Sequence, residues 1–348
     1  MRLPLLHPAQ TPPVASTRGD TLVDSHGRVI RDLRLSITDR CNFRCLYCME
    51  PEVRFLPREQ LLSVTELARL AGLCRSLGVR RVRLTGGEPT VRSDLIEIIE
   101  AVAATNPDDL AMTTNGSLVT PAAARRWKQA GLTRLTFSLD SLDDATFAAM
   151  TRSSCTSTSV VEAIRVAVAE GLGPVKVNAV VMRGRNEHQV VPLARLARDL
   201  AIEMRFIEYM PLDSGRAWDP AKLVPAAEIV DAIAREFPLV PQGKDHEHST
   251  ALEYAFADGT PGRIGLIAPV TRPFCGACSR LRITAEGKVR PCLFSLEEWD
   301  IGSLMRAGAS DGALRDFLLD SAWSKQQGHG IDAPDFRQPD RPMSAIGG

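Results

Sequence analysis

From residue 33 to residue 210 the sequence repeats one unit six times: a short β-branched or apolar run, a turn, and an amphipathic stretch of helical period. The strand-like runs fall at residues 33–37, 81–84, 110–114, 134–139, 175–181 and 204–207. The helices between them carry start signals. Ser63 to Glu66 reads SVTE, a capping box, and Thr120 stands as an N-cap before Pro121 at the first helical position. Strands and helices alternating at intervals of roughly 25 to 45 residues indicate βα repeats on a parallel sheet. Right-handed crossovers leave an open doubly wound sheet or a barrel, complete or partial, and periodicity does not choose between them. Both gather their chemistry at the C-terminal ends of the strands.

Polar or glycine-rich matter marks all six runs. A cysteine-rich loop follows the first, TGGEP the second and TTNG the third; SLDS ends the fourth, Lys176 and Asn178 alternate along the fifth, and EYMP ends the sixth. Composition narrows what these residues can serve. Over 348 residues, 44% are apolar and 24% charged, a globular chain long enough for one large domain and a smaller one. Basic and acidic residues balance at 42 each, so net charge offers no general attraction for nucleic acid or an anionic membrane, and any anion site is local. No apolar run approaches the roughly 18 residues of a membrane span. Prolines and a histidine interrupt the N-terminal stretch before it reaches signal-peptide length, so residues 1–28 read as a flexible tail. The expected location is cytoplasmic, and the eight cysteines are then ligands or core residues rather than disulfides. Cys74, in the apolar rhythm ELARLAGLCRSLG, reads as a buried structural thiol and Cys155 as an incidental loop cysteine.

Beyond residue 210 the pattern changes. A linker-like turn, PLDSGRAWDP, precedes a helix over 226–236, a polar loop PQGKDHEHST, antiparallel-looking strands ALEYAFAD and RIGLIAPV, and a hairpin over 281–294 turning at AEGK. The expected division is a tail over 1–28, a βα domain over 29–212, and a smaller α+β module over 213–348.

Six of the cysteines form two groups of three. Cys41, Cys45 and Cys48 have the spacing C-x3-C-x2-C. That set is one ligand short of a structural zinc site, and odd and crowded for disulfides; as an iron-sulfur loop it holds three irons of a four-iron cluster and leaves the fourth open. A zinc knuckle completed from elsewhere, or three unligated thiols, are the alternatives. Cys275, Cys278 and Cys292 again supply three ligands, at C-x2-C-x13-C, for which a zinc ribbon short of one ligand is the alternative. Arg280 and Arg282 alternate on the strand between these cysteines and so share one face, as a solvated strand face or as an anion clamp beside a metal centre.

CNFRCLYC resembles the cluster loop of the radical S-adenosylmethionine (SAM) superfamily, and TGGEP at Thr85 to Pro89 resembles that superfamily's glycine-rich segment. Joined to the second cysteine group, RDLRLSITDRCNFRCLYCM, TGGEPTVR, VKVNAVV, RFIEYMP and the terminal IGG resemble the GTP 3',8-cyclases of molybdenum-cofactor biosynthesis from about residue 30 onward. Glu50, where that family often has proline, and a longer N-terminal tail are the departures.

The resemblance implies a partial (β/α)6 TIM-like barrel with a C-terminal α+β module that carries a second iron-sulfur cluster. Cys41, Cys45 and Cys48 would hold the first [4Fe-4S] cluster with SAM at its open iron, and Cys275, Cys278 and Cys292 the second, whose open iron binds the guanine. Tyr47, Gly87, Ser138 and Met210 would surround SAM. Arg34, Arg83, Thr113, Lys176, Arg280, Leu281 and Arg282 would contact GTP, with the first three cysteines, Arg280 and Arg282 forming the catalytic set. Reductive cleavage of SAM would give a 5'-deoxyadenosyl radical that takes the ribose 3' hydrogen, and the carbon radical would close on guanine carbon 8. Gly347 and Gly348 would reach into the site. A reductant such as flavodoxin or ferredoxin, hand-off to cyclic pyranopterin monophosphate synthase, and a monomer or homodimer with neither nucleic acid nor membrane as partner complete the expectation. A peptide-modifying radical SAM enzyme with an auxiliary cluster, and a zinc-stabilised nucleotide-binding module, are the competing readings.

Overall fold

The computed structural model describes residues 19–213, 215–244 and 248–347. All six expected strands form: β1 (Asp32–Ser36), β2 (Arg81–Thr85), β3 (Asp109–Thr114), β4 (Arg134–Ser138), β5 (Lys176–Val181) and β6 (Glu203–Glu208). Each pairs in parallel with the next. The helices between them are α1 (Val64–Ser76), α2 (Leu95–Ala103), α3 (Pro121–Gln129), α4 (Asp144–Thr151), α5 (Ser157–Ala169) and α6 (Val190–Leu200), two of them falling between β4 and β5. The start signals act as expected. Ser63 and Glu66 close a full capping box on α1, and the Thr120 side chain accepts from the Ala123 N–H at the head of α3.

The remaining elements are α7 (Ala226–Ala234), β7 (Leu239–Gly243), β8 (Leu252–Phe256), β9 (Arg263–Ile267), β10 (Arg280–Ile283), β11 (Lys288–Arg290), β12 (Trp299–Asp300), α8 (Ile301–Arg306), α9 (Asp311–Trp323) and α10 (Met343–Ile346). β7 runs into the stretch read as a polar loop and ends inside it at Gly243. More consequentially, these strands do not build a sheet of their own. β10 pairs in parallel with β1 and β9 in parallel with β6, so one 12-stranded sheet runs β12-β11-β10-β1-β2-β3-β4-β5-β6-β9-β8-β7. Both edges of the βα array are thereby covered, which removes two rows of unpaired backbone groups. The expected boundary at residue 212 thus separates sequence patterns but not sheets.

Along β1 and β2 the buried Leu33, Leu35, Val82 and Leu84 join the hydrophobic core with the helices, while Arg34 and Arg83 take the other face. That face is concave: residues of β10 and β9, at opposite flanks of the parallel strands, line one cavity together with residues of β1 to β6. A curved, incompletely closed barrel results.

The tail expectation needs correcting over residues 19–28. Leu22 and Asp24 are fully buried and Val23 bridges Val29, because this segment packs against α1 and α9 through backbone bonds from Leu22 N to Leu77 O and from Ser25 N to Trp323 O. Residues 1–18 lie outside the described residues. Cys74 is buried in the core, as its apolar surroundings imply. Among the described residues no helix is long and apolar enough to cross a membrane.

Candidate active site

The loop after β1 is locked onto the loop after β2 by backbone. Gly87 N donates to Thr38 O at 2.8 Å and Glu88 N to Arg40 O at 2.7 Å. A Cβ at Gly86, whose φ is +147°, would stand 2.2 Å from Thr38 O, and one at Gly87 would stand 2.3 Å from Arg40 O. Both positions therefore require glycine. Behind them the buried Glu88 carboxylate accepts from Thr90 N at 3.0 Å, Thr90 Oγ1 at 2.6 Å, Thr114 Oγ1 at 2.8 Å and Asn115 N at 2.6 Å. Asn115 in turn donates to Asn42 Oδ1 at 2.8 Å. TGGEP and TTNG thus brace the cysteine loop from two neighbouring strand ends.

Cys41, Cys45 and Cys48 line a cavity of about 180 Å³ together with Gly87, Ser138 and Met210. Burial raises all three thiols, Cys41 to about 11 and Cys48 to about 12, with Glu88 adding to the effect at Cys41 and Asp140 at Cys45. Thiols so desolvated are poor free nucleophiles and become thiolates on binding metal. Among the described residues no three His, Cys, Asp or Glu side chains converge closely enough for a single metal ion. Thiolates around a four-iron cube stand farther apart than around one zinc, so a cavity between them is the fitting geometry. Asn178 Oδ1 and Thr85 Oγ1, on two residues that line this cavity, are buried without a hydrogen-bond partner among the described residues. Tyr47, beside Cys48, donates its hydroxyl to Asp140 Oδ2 at 2.8 Å, and burial raises that carboxyl to about 6.

A second cavity of about 180 Å³ holds Cys275, Cys278, Cys292, Arg280 and Arg282, and Arg34, Arg83 and Thr113 from the barrel strands. It shares Thr113, Asn178, Ile207, Met210 and Met343 with the first, so the two adjoin. Arg280 Nη2 donates to Cys278 Sγ at 3.3 Å. Although burial pushes that thiol up, the charges of Arg280 and Lys325 bring it down to about 6. Leu281, expected among the GTP contacts, is fully buried in the hydrophobic core, because alternation on β10 turns it away from its arginine neighbours.

Register explains the cations. Arg282, Arg34 and Arg83 are lateral neighbours on β10, β1 and β2, an all-positive row. One step toward the strand starts, Arg280, Asp32, Arg81 and Asp109 form a row of alternating sign. Burial, then Arg282 and Arg280, push Arg34 well down, and burial, then Arg134, Arg34 and Arg205, do the same to Arg83. Arginine keeps its proton through such shifts, so the row is a crowded positive field of the kind that suits an anion. A third cavity, of about 290 Å³, continues past Arg34, Arg83, Arg205 and Arg280 to Lys176. Lys176 meets both readings of its charge: it lines this cavity and also pairs with Glu203 at 2.7 Å. Arg81, Arg134 and Arg205 were not singled out from the sequence, although the signal that marked Lys176, a charge inside a parallel strand, marks them too.

The end of the chain enters this site. Met343 lines both adjoining cavities, Ser344 hydrogen-bonds Cys48, and Arg282 Nη1 donates to Gly347 O. Gly347 has φ +83°, and a Cβ there would stand 2.7 Å from Thr85 Oγ1, so the strand-end crevice admits only glycine. Gly348 lies outside the described residues.

This fold and cysteine loop define a radical SAM protein, and a family model described as "Radical SAM superfamily" matches residues 35–197, followed by one described as "Molybdenum Cofactor Synthesis C" over residues 202–331. A GTP 3',8-cyclase of Paenarthrobacter nicotinovorans is 44% identical, covering 95% of this chain and 98% of its own length. One of Streptomyces coelicolor is also 44% identical, over 94% and 96%, and "GTP 3',8-cyclase 2" of Mycobacterium bovis is 46% identical, over 97% and 94%. The chain belongs to the GTP 3',8-cyclase family. Among solved structures, Streptococcus suis SuiB bound to its precursor peptide SuiA superposes with a TM-score of 0.61 at 15% identity, over 90% of this chain and 69% of that one. Native anSMEcpe with bound AdoMet gives 0.58 at 14% identity, over 86% and 82%. At such identities the likeness is one of fold.

Proposed function

We propose that this chain converts GTP to (8S)-3',8-cyclo-7,8-dihydroguanosine 5'-triphosphate, the first step of molybdenum-cofactor biosynthesis. The observation that carries the reading is the joining of two three-cysteine cavities through shared walls, with the Arg282–Arg34–Arg83 row beside the second. A triphosphate brings about four negative charges, and fixed guanidinium groups in a cavity shielded from water bind it through charge-assisted hydrogen bonds. The paired cations Arg81, Arg134, Lys176 and Arg205 extend that field toward the strand starts.

Cys41, Cys45 and Cys48 would hold a [4Fe-4S] cluster, which with SAM supplies the 5'-deoxyadenosyl radical. Around SAM, Gly87 and Ser138 offer backbone and hydroxyl contacts, Tyr47 is oriented by Asp140, and Asn178 and Thr85 present acceptors. Cys275, Cys278 and Cys292 would hold a second [4Fe-4S] cluster facing the guanine. Arg280 and Arg282 stand between that cluster and the barrel arginines, so one substrate can reach both cavities. Met343, in the wall of both cavities, excludes water from their junction, which protects a carbon radical from quenching. A flavodoxin- or ferredoxin-type protein would supply the electron, and cyclic pyranopterin monophosphate synthase would take the product.

The test is GTP carrying deuterium at the ribose 3' carbon, incubated anaerobically with reconstituted protein, SAM and reductant. Deuterium in 5'-deoxyadenosine together with the cyclised nucleotide is the expected result. SAM cleavage indifferent to GTP would sink the proposal.

A further inference from the structure

Two buried cations stand beside the second cysteine group, Lys325 in the wall of its cavity and Arg28 behind Cys275. Lys325, just beyond α9, is 3% exposed, and its Nζ donates to Arg280 O at 2.8 Å and to Pro291 O. Arg280 follows Cys278 by two residues and Pro291 immediately precedes Cys292, so one ammonium joins the two chain segments that carry these cysteines. Among the described residues its hydrogen bonds go to carbonyls and no carboxylate pairs with it; the negative groups that act on it are Cys278 and Cys292.

Arg28 does for Cys275 what Lys325 does for the other two. Its Nη1 donates to Cys275 O at 2.7 Å and Gln327 O at 2.8 Å, and its Nη2 to Gln326 O at 2.7 Å. Unlike Lys325, Arg28 is neutralised, by Asp24 at 2.5 Å with both side chains buried.

The difference between the two cations is informative. A buried ammonium with carbonyl partners alone carries a large desolvation cost unless an anion faces it. A four-iron cluster on three thiolates is such an anion, and reduction adds one more negative charge. Outer partners of this kind tune a metal centre as well as orient its ligands.

We propose that Lys325 is a positioning residue for the second cluster, whose unpaired ammonium draws the Cys278 and Cys292 segments into one site and favours the reduced cluster, while Arg28 places Cys275 alone. This rests on the reading that Cys275, Cys278 and Cys292 hold a [4Fe-4S] cluster.

The experiment uses the full chain with Cys41, Cys45 and Cys48 all changed to alanine, so that iron content and electron paramagnetic resonance report the second group only. About four irons per chain are expected after anaerobic reconstitution. In that background Lys325→Met shifts the midpoint of a redox titration to more negative potential, and Lys325→Arg returns it toward the parent. Arg28→Gln lowers the iron retained and leaves the midpoint of the remaining cluster in place, since Asp24 already cancels its charge. A Lys325→Met protein with the parent's midpoint and iron content overturns the proposal alone, as does a loss that Lys325→Arg fails to restore. A parent that assembles no cluster overturns the cluster reading and the proposal with it.

Discussion

Glu88 and Gly87 show how much of the first cysteine site rests on single atoms. The Glu88 carboxylate serves three residues on two strand-end loops, so replacing it by alanine leaves several buried donors unpaired. Each costs about 1–3 kcal/mol, and with partial relaxation we expect Glu88→Ala to lose roughly 3 kcal/mol in urea unfolding, with Glu88→Gln recovering part. Gly87→Ala acts differently. Its Cβ meets the Arg40 carbonyl, a backbone atom with nowhere to move but along the cysteine loop. Iron bound by Cys41, Cys45 and Cys48 should fall to a minor fraction while far-UV circular dichroism stays that of the parent. Much of this was legible: TGGEP after a strand announces a tight approach of backbone. That Glu88 is the brace was not, because Thr114 and Asn115, which it ties to its own loop, lie 26 and 27 residues away.

At the level of elements, the row Arg282–Arg34–Arg83 opposes stability and serves binding. Arg34→Met should raise the stability of the ligand-free chain by about 1 kcal/mol and weaken GTP binding tenfold or more, measured by calorimetric unfolding and by equilibrium dialysis. The neighbouring carboxylates give a pH signature. Burial alone would raise Asp32, Asp109 and Glu203, but Arg81 at the first, Arg134 at the second, and Arg205 with Lys176 at the third outweigh it, and all three lie below their ordinary values. Carboxylates lowered in the folded state contribute stability that is present above their unfolded pKa, near 4, and is lost as pH falls through the lower folded values. Urea midpoints should therefore drop steeply below about pH 4, and Asp109→Asn should flatten part of that slope while costing roughly 3 kcal/mol at neutral pH. Alternating charge in DLRLS and RVRLT shows in the sequence; which charges become neighbours depends on register.

For the whole molecule, the last residues close a site built some 300 positions earlier. Met343 N bonds Leu212 O at 3.2 Å, and Arg282 holds Gly347 O. A chain ending at Pro342 loses the buried Ile346 and should unfold with about 2 kcal/mol less free energy in urea, staying folded at neutral pH. Its yield of cyclised nucleotide should fall at least tenfold, while 5'-deoxyadenosine formation falls less, because water then reaches the junction between the cavities. Quantifying both products against the intact chain checks this. A chain starting at residue 29 should instead lose iron from the second cysteine group, through the missing Arg28.

Local order wrote itself into the sequence: the six strands, the helix caps at Ser63 and Thr120, the two cysteine triplets and the polar residues at the strand ends all follow from period, composition and spacing. These depend on residues a few positions apart, where side-chain alternation and backbone geometry act directly. The extension of the barrel sheet by β10 and β9, the loss of Leu281 to the core, the pairing of Lys176 with Glu203, and the packing of residues 19–28 behind Cys275 were decided by tertiary structure. Each depends on strand register or on contacts between segments hundreds of residues apart, and such pairings are chosen by the fit of the whole fold, which no local pattern specifies.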